Sequence, residues 1–469
     1  MNRRGRASAL ILLGMIACVL ADALAGVSVF RMAARVLLVA FLAVEWGRMA
    51  ANARIMVAIA VLATAAASTV IAEPLRAVEE ALDAGAFFAT FFANQFFLRE
   101  AARTSPLVHR CSAFFVNQAP PKRYVLLTLG GYLFGIILSL GVLSLLGIMI
   151  TRRNSLTAAG GIRTVRELRE RRMILPLLRG FSVTTLASPL SISMALMLNV
   201  LPGLHWTAIL PLGVATGALL LGLGWMQDRM RPPCPPGSVV PLPEVGRDTP
   251  ALLGVVALVL LVFALAVAVE HIAAIPLSRA ILVSLPLVGV GWLAAQYLDY
   301  GARTGSLLIG RRIVRNAAKT FPNYRTEIAI LSSAGFIGTL FSALVPSDWL
   351  GTVLSSSLLP PALLPILAVL MVVVPALAGV NPIVSVTILA SGLAASPNLA
   401  VSPEVLAVSL MAGWCMAINS SALTASSMLL GELIGRPAET IVLRWNGPFT
   451  VAALGLLGLW LAGLSVLMR

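Results

Sequence analysis

Apolar runs about as long as a bilayer is thick recur from one end of this chain to the other, and they leave few folds open. Leu252–Val269 is one such run, with no charged residue and no alternation of apolar with polar side chains. A helix needs ~20 apolar residues to cross the hydrocarbon layer. Backbone there must satisfy its own hydrogen bonds, so spans are helices or strands of a closed barrel. A barrel strand alternates apolar with polar residues, and these runs do not. The expected fold class is therefore an all-α polytopic membrane protein with about 10 to 12 transmembrane segments. The 11% share of charged residues fits, since soluble domains carry about 25%.

The net charge of +15 comes almost entirely from arginine. A basic chain invites a nucleic-acid reading, but these arginines sit in short loops between apolar runs, where the positive-inside rule puts them. The partner they imply is the lipid bilayer, with no nucleic acid. Cys18, Cys111, Cys234 and Cys415 show no CxxC or Cys/His spacing, so neither a metal site nor a disulfide framework is expected.

Residues 1–27 read as an N-terminal transmembrane helix. Arg3, Arg4 and Arg6 before an apolar core and Ala23-Leu24-Ala25 after it resemble a signal peptide, but a polytopic chain needs no separate signal. Residues 28–226 form a first half. Its spans 28–47 and 55–72 are joined by the basic loop Arg48–Arg54 in the cytoplasm, and Glu73, Glu79, Glu80 and Asp83 mark an amphipathic surface helix outside. Residues 85–118 return once to the cytoplasm. Residues 124–150 have basic pairs at both ends, Lys122-Arg123 and Arg152-Arg153. They form either a re-entrant hairpin turning near Gly135–Gly141 or a plain span, being short for two helical arms. A cytoplasmic stretch at 151–172, a segment 173–201 leading outward and a return at 207–226 complete the half.

Residues 227–249 form a Pro-rich cytoplasmic linker and divide the chain almost equally. Residues 250–469 repeat the plan with opposite sidedness. Spans 250–272 and 276–298 mirror the first pair, 299–325 is basic and cytoplasmic, and 326–347 runs outward. A hairpin at 361–396 turns about Gly379-Val380-Asn381-Pro382, a segment 403–434 runs inward, and 446–468 is the last span, leaving the C-terminus outside. Such an inverted-topology repeat marks secondary transporters.

Two Ser-rich segments carry the candidate site. Setting Ser188 on Ser421 brings Leu190 onto Leu423, Ser191 onto Thr424, Ser193 onto Ser426 and Leu196 onto Leu429. Both read as broken helices, the second with its break at Asn419–Ser421. A break at mid-bilayer exposes N–H groups that suit an anion and carbonyls that suit a small cation. The expected solute- and ion-binding residues are Ser188, Pro189, Ser191 and Ser193 in one half. In the other they are Asn381, Pro382, Asn419, Ser420, Ser421, Thr424 and Ser426. The competing account is that small polar residues let membrane helices pack closely. Glu327 and Glu432 are the candidate proton-coupling acids. Glu45 is a weaker candidate of the same kind, and Glu270 and Asp299 lie near span ends where solvation accounts for them. Arg179 is either a counter-charge for an anionic solute or an interfacial arginine. His205-Trp206 and Glu270-His271 read as interfacial pairs. No Ser/His/Asp set, nucleotide loop or pair of catalytic carboxylates appears, so an enzyme is not expected.

Two inverted halves, each with a hairpin followed by a broken helix bearing Ser, Thr or Asn, resemble the ion transporter superfamily. That group holds the divalent anion/sodium symporters, the large subunits of tripartite dicarboxylate carriers and the arsenite permeases. Gly379-Val380-Asn381-Pro382 resembles the Gly-Ile-Asp-Pro of the tripartite carriers, whereas Asn419-Ser420-Ser421 departs from the symporters' Ser-Asn-Thr. The resemblance implies an elevator mechanism, usually in a homodimer. The expectation is an inner-membrane secondary carrier of a small, carboxylate-like anion, coupled to Na⁺ or H⁺ and using no other cofactor. Its rivals are an efflux carrier of the same fold, a non-transport scaffold or assembly protein, and a passive channel.

Overall fold

The computed structural model describes residues 3–201, 203–230, 248–344, 360–394 and 401–468. Among them all regular structure is helical, and ten helical stretches are long and apolar enough to cross a membrane. The first half comprises α1 (Arg3–Ala25), α2 (Ser28–Glu45), α3 (Ala51–Val70), α4 (Pro74–Ala102) and α5 (Pro106–Val116). It continues with α6 (Pro120–Leu138), α7 (Gly141–Arg153), α8 (Arg163–Ala187), α9 (Ile192–Val200) and α10 (Trp206–Arg229). The second comprises α11 (Thr249–Ala273), α12 (Leu277–Gln296), α13 (Ala302–Thr320), α14 (Arg325–Leu344) and α15 (Leu364–Leu377). Then come α16 (Pro382–Ala394), α17 (Pro403–Ser420), α18 (Ala425–Ile434) and α19 (Gly447–Leu467). The protein is an all-α polytopic membrane protein.

α8 and α17 cross at the centre, and each is gripped by a pair of shorter helices. α6 and α8 meet backbone to backbone: a Cβ on Gly180 would stand 2.0 Å from the Thr128 carbonyl oxygen, and one on Gly131 2.5 Å from that of Leu177. The equivalent contact in the second half is made by Gly413, whose Cβ would stand 2.8 Å from that of Val372 on α15. Small residues bring membrane helices this close because lipid supplies no hydrophobic drive between them. The halves also exchange partners: α7 packs on α18 and α16 on α9, while α3 packs on α14 as α12 packs on α4.

The loops assigned to the cytoplasm contact one another. Arg325 donates to the Arg48 carbonyl (2.7 Å), and Arg436 pairs with Glu167 (2.7 Å) and Glu170 (2.9 Å). Segments assigned to the outside do likewise. Arg31 pairs with Asp22, Arg35 with Glu79 and Asp83, and Trp206 Nε1 donates to Glu270. The arginines of α2 therefore sit among carboxylates, which is why α2 can carry them.

Several boundaries differ from the sequence reading. Residues 73–83 are not a separate surface helix; from Pro74 they form the first turns of α4, held against α2 by Arg35. Residues 85–118 divide at Arg103-Thr104, leaving α5 as a short helix of its own. Residues 299–325 are mostly the helix α13, because its Arg312 and Asn316 find a partner in Glu100. The 124–150 stretch holds two helices, α6 and α7, meeting at Ser139-Leu140. The break in 403–434 lies at Ser421–Thr424 rather than Asn419–Ser421. Asn419 and Ser420 bond back to the carbonyls of Cys415 and Met416, one turn earlier, and so stay helical. Most of the Pro-rich linker and residues 395–396 of the second hairpin lie outside the described residues.

Candidate functional site

Each break is a tight hydroxyl turn, and the two are near copies. Ser188 leaves α8 in extended conformation, and its Oγ accepts from Leu190 N (3.2 Å). Ser191 donates to the Ser188 carbonyl (2.8 Å), caps α9 by accepting from Met194 N, and meets Ser193 Oγ at 3.0 Å. In the other half Ser421 Oγ accepts from Leu423 N (3.2 Å), Thr424 donates to the Ser421 carbonyl (3.2 Å), and Thr424 meets Ser426 at 3.1 Å. Thr424 caps α18 by accepting from Ser427 N. A hydroxyl at the N-cap satisfies one of the free donors of the new helix, so these turns stop one helix and start the next.

Both breaks open on one cavity of about 510 Å³. The tips joining α6 to α7 and α15 to α16 also reach it, and each tip carries a residue in the left-handed region, Ser139 (φ 49°) and Gly379 (φ 95°). For Ser139, with its Cβ, that conformation is uncommon. Asn381 follows the second tip, where its Oδ1 accepts from Ile383 N (3.1 Å) and starts α16. The cavity is thus lined by the first residues of three half-helices, Ile192-Ser193, Pro382-Ile383 and Ala425-Ser426. All three present a positive dipole end to whatever occupies that space, and α9 and α18 add free N–H groups; at α16 Pro382 has no N–H and Ile383 N is taken by Asn381.

Of the residues picked from sequence, Ser188, Ser191, Ser193, Asn381, Pro382, Thr424 and Ser426 line the cavity, as do Glu327 and Glu432. Pro189, Asn419, Ser420 and Ser421 do not. Ser421 donates to the Ala376 carbonyl (2.6 Å) and ties the break to α15, and Ser420 is spent on its own helix. Asn419 lies behind the break, donating to Ser182 Oγ (2.6 Å) and accepting from Asn446 Nδ2 (3.2 Å). Asn446 in turn accepts from Arg179 Nε (2.9 Å). Arg179 is only 1% exposed, stacks on Phe449 at 4.0 Å and does not line the cavity. Its guanidinium is used inside the protein, on Asn446, Tyr124 and the Gly224 carbonyl. Glu45 is also buried, accepting from Ser8 Oγ.

Apart from Glu327, the sequence reading missed the opposite wall, made by α3, α4 and α14. Gln95 is one of its polar groups. Arg99 Nη2 donates to Gln95 Oε1 (3.2 Å), and a guanidinium cannot accept, so this bond fixes which end of the amide is which. Phe181 and Trp414 both line the cavity and occupy equivalent places in α8 and α17. That pair was available to the repeat alignment; Gln95, in an aromatic stretch of α4 outside the aligned segments, was not. Among the described residues no Lys, Arg or His lines the cavity.

Fold and site together define an all-α polytopic membrane protein in which two broken helices and two helix tips surround one polar cavity. The sequence matches no protein-family model and no curated relative. The structure is similar to the crystal structure of the YdaH transporter of Alcanivorax borkumensis, described as having an unusual topology. The TM-score is 0.55 at 14% identity, over 87% of this chain and 98% of that one. At that identity the likeness is one of fold.

Proposed function

We propose that the protein is a secondary active transporter of a small, carboxylate-like anion, coupled to Na⁺ or H⁺. It works by elevator-type alternating access, as a homodimer in the inner membrane. The observation that carries this reading is the convergence of two broken helices and two helix tips on one polar cavity. Three half-helix N-termini supply the positive end for an anion without a buried basic side chain. Hydroxyls of Ser191, Ser193, Thr424 and Ser426, with the carbonyls beside them, are hard oxygen donors of the kind a small cation takes. The likeness in fold to a transporter supports the same reading. The cavity also reaches Asn52, Thr326, Glu327 and Glu432, in the turns next to the loops assigned to the cytoplasm, as an inward-facing state requires.

The test is a thermal-shift screen of the purified protein against organic acids, with and without Na⁺, followed by uptake into proteoliposomes. Stabilisation by an acid, deepened by Na⁺ or by low pH and lost in Asn381→Ala, is expected. No stabilisation by any acid, with a cation or neutral solute stabilising instead, would overturn the anion assignment.

A further inference from the structure

Between two spans of the second half the chain lays a helix across the ends of three others. α13 meets them in succession. A Cβ on Gly305 would stand 3.1 Å from the Tyr297 carbonyl just past α12. Arg312 donates to the Glu100 carboxylate (2.7 Å) and carbonyl (2.8 Å) near the end of α4. The Ala318 carbonyl would lie 3.3 Å from a Cβ on Gly5 near the start of α1. A helix that touches three span ends in order along ~20 Å of its length lies in the plane of the membrane surface.

Its two faces differ in kind. The inner face is Gly305, Ile309, Arg312 and Asn316, all buried, with Arg312 and Asn316 both used on Glu100. On the outer face Leu307 and Val314, two turns apart, are 59% and 52% exposed and form one apolar ridge. Arg311 and Arg315 run beside that ridge at successive turns, with Lys319 one turn further and nearer the buried face; Arg303 stands on the other flank, and all four are exposed. α13 contains no Asp or Glu. Among the described residues none of these four cations forms an ion pair.

We propose that the outer face of α13 is a binding surface for anionic phospholipid headgroups. The ridge of Leu307 and Val314 enters the boundary between headgroups and acyl chains, while Arg303, Arg311, Arg315 and Lys319 engage phosphates. An in-plane helix with an apolar ridge flanked by cations matches the chemistry of that layer. A soluble acidic partner would meet the cations but leave the ridge, at the depth of the span ends, facing lipid.

The experiment is native mass spectrometry of the full-length protein in mixed micelles. It compares retention of phosphatidylglycerol with that of phosphatidylcholine of the same chains. Wild type is expected to prefer phosphatidylglycerol roughly tenfold. R303Q/R311Q/R315Q/K319Q should lose that preference while keeping its phosphatidylcholine adducts and its melting temperature. A control, R54Q/R152Q/R163Q/R166Q, removes four exposed arginines elsewhere and should retain the preference. Undiminished phosphatidylglycerol binding in the α13 variant, or an equal loss in the control, would overturn the assignment to this helix.

Discussion

Ser182 Oγ lies 3.4 Å from Cys415 Sγ, and the two residues, 233 apart, hold equivalent places in the two halves. Equivalent residues touch only where the axis relating the halves passes between them. The start of α8 is tied to the end of α18 through Arg436, Glu167 and Glu170, so equivalent helices approach that axis from opposite ends. The shift that sets Ser182 on Cys415 also sets Ser188 on Ser421, Gly180 on Gly413 and Phe181 on Trp414. One pseudo-two-fold axis therefore accounts for the helix contacts and for both breaks opening on one cavity.

This contact predicts a cross-link. Ser182→Cys should form a disulfide with Cys415 under a membrane-permeant oxidant, because the facing atoms are already within reach of a small adjustment. With a protease site placed in the linker, the cleaved halves should stay together on a non-reducing gel and separate when reduced. Separation without reductant would mean that the halves do not meet at these residues.

The tight approach of α6 to α8 predicts an asymmetry in stability. Gly180→Ala drives a methyl into a backbone carbonyl at 2.0 Å, which only movement of a helix relieves. Gly413→Ala meets the Val372 Cβ at 2.8 Å and the Val369 carbonyl at 3.1 Å, a milder clash that a smaller helix shift relieves. Overpacking of this kind costs about 1–3 kcal/mol. Gly180→Ala should therefore lower the melting temperature in detergent more than Gly413→Ala; the reverse order would place the tighter packing in the other half.

Gln95 predicts an effect on affinity from outside the repeat motifs. Because Arg99 donates to Oε1, the NH₂ end of the amide is the one left for the cavity. It is a donor suited to an anionic oxygen. Gln95→Leu should weaken solute binding by about 1–3 kcal/mol, up to roughly a hundredfold. Gln95→Glu should weaken it further by placing a negative charge there. Calorimetric titration with an acid found in the stabilisation screen measures both, and equal affinity in wild type and Gln95→Glu would remove Gln95 from the site.

The helical class, the run of spans and the polar breaks could be read from the sequence because lipid imposes strict rules on backbone and charge. The Ser-Ser and Thr-Ser pairs stood out as polar interruptions in apolar runs, and the repeat alignment put them together. What could not be read was which hydroxyls face the cavity. Ser420 and Thr424 are four residues apart, yet one bonds back into its own helix and the other caps the next. That difference rests on where the helix stops, and Asn419 bonding to Cys415 delays the stop. Gln95 was hidden for another reason. It lies on a helix outside the aligned segments, and only the folded chain brings α4 opposite the breaks.

For the proposed carrier, coupling to protons would turn on two carboxyls. A proton-coupled carrier needs an acid in its cavity that takes up and releases a proton in each cycle, and Glu327 and Glu432 are the carboxyls among the lining residues. Glu327 is the stronger candidate, since its Oε2 is buried with no hydrogen-bond partner. A buried carboxyl oxygen without a partner is costly. Glu432 lies in the last turn of α18, on the same cavity. If protons drive transport, Glu327→Gln should abolish uptake driven by a pH gradient while solute binding and solute exchange persist, because the amide keeps the shape without the titration. Glu432→Gln should shift the pH profile less. Uptake in proteoliposomes under an imposed pH gradient, with Na⁺ absent, reads out both. Wild-type proton-driven uptake in both variants would rule these carboxyls out as the proton site, and uptake that needs Na⁺ would assign the coupling to the hydroxyl and carbonyl oxygens at the breaks.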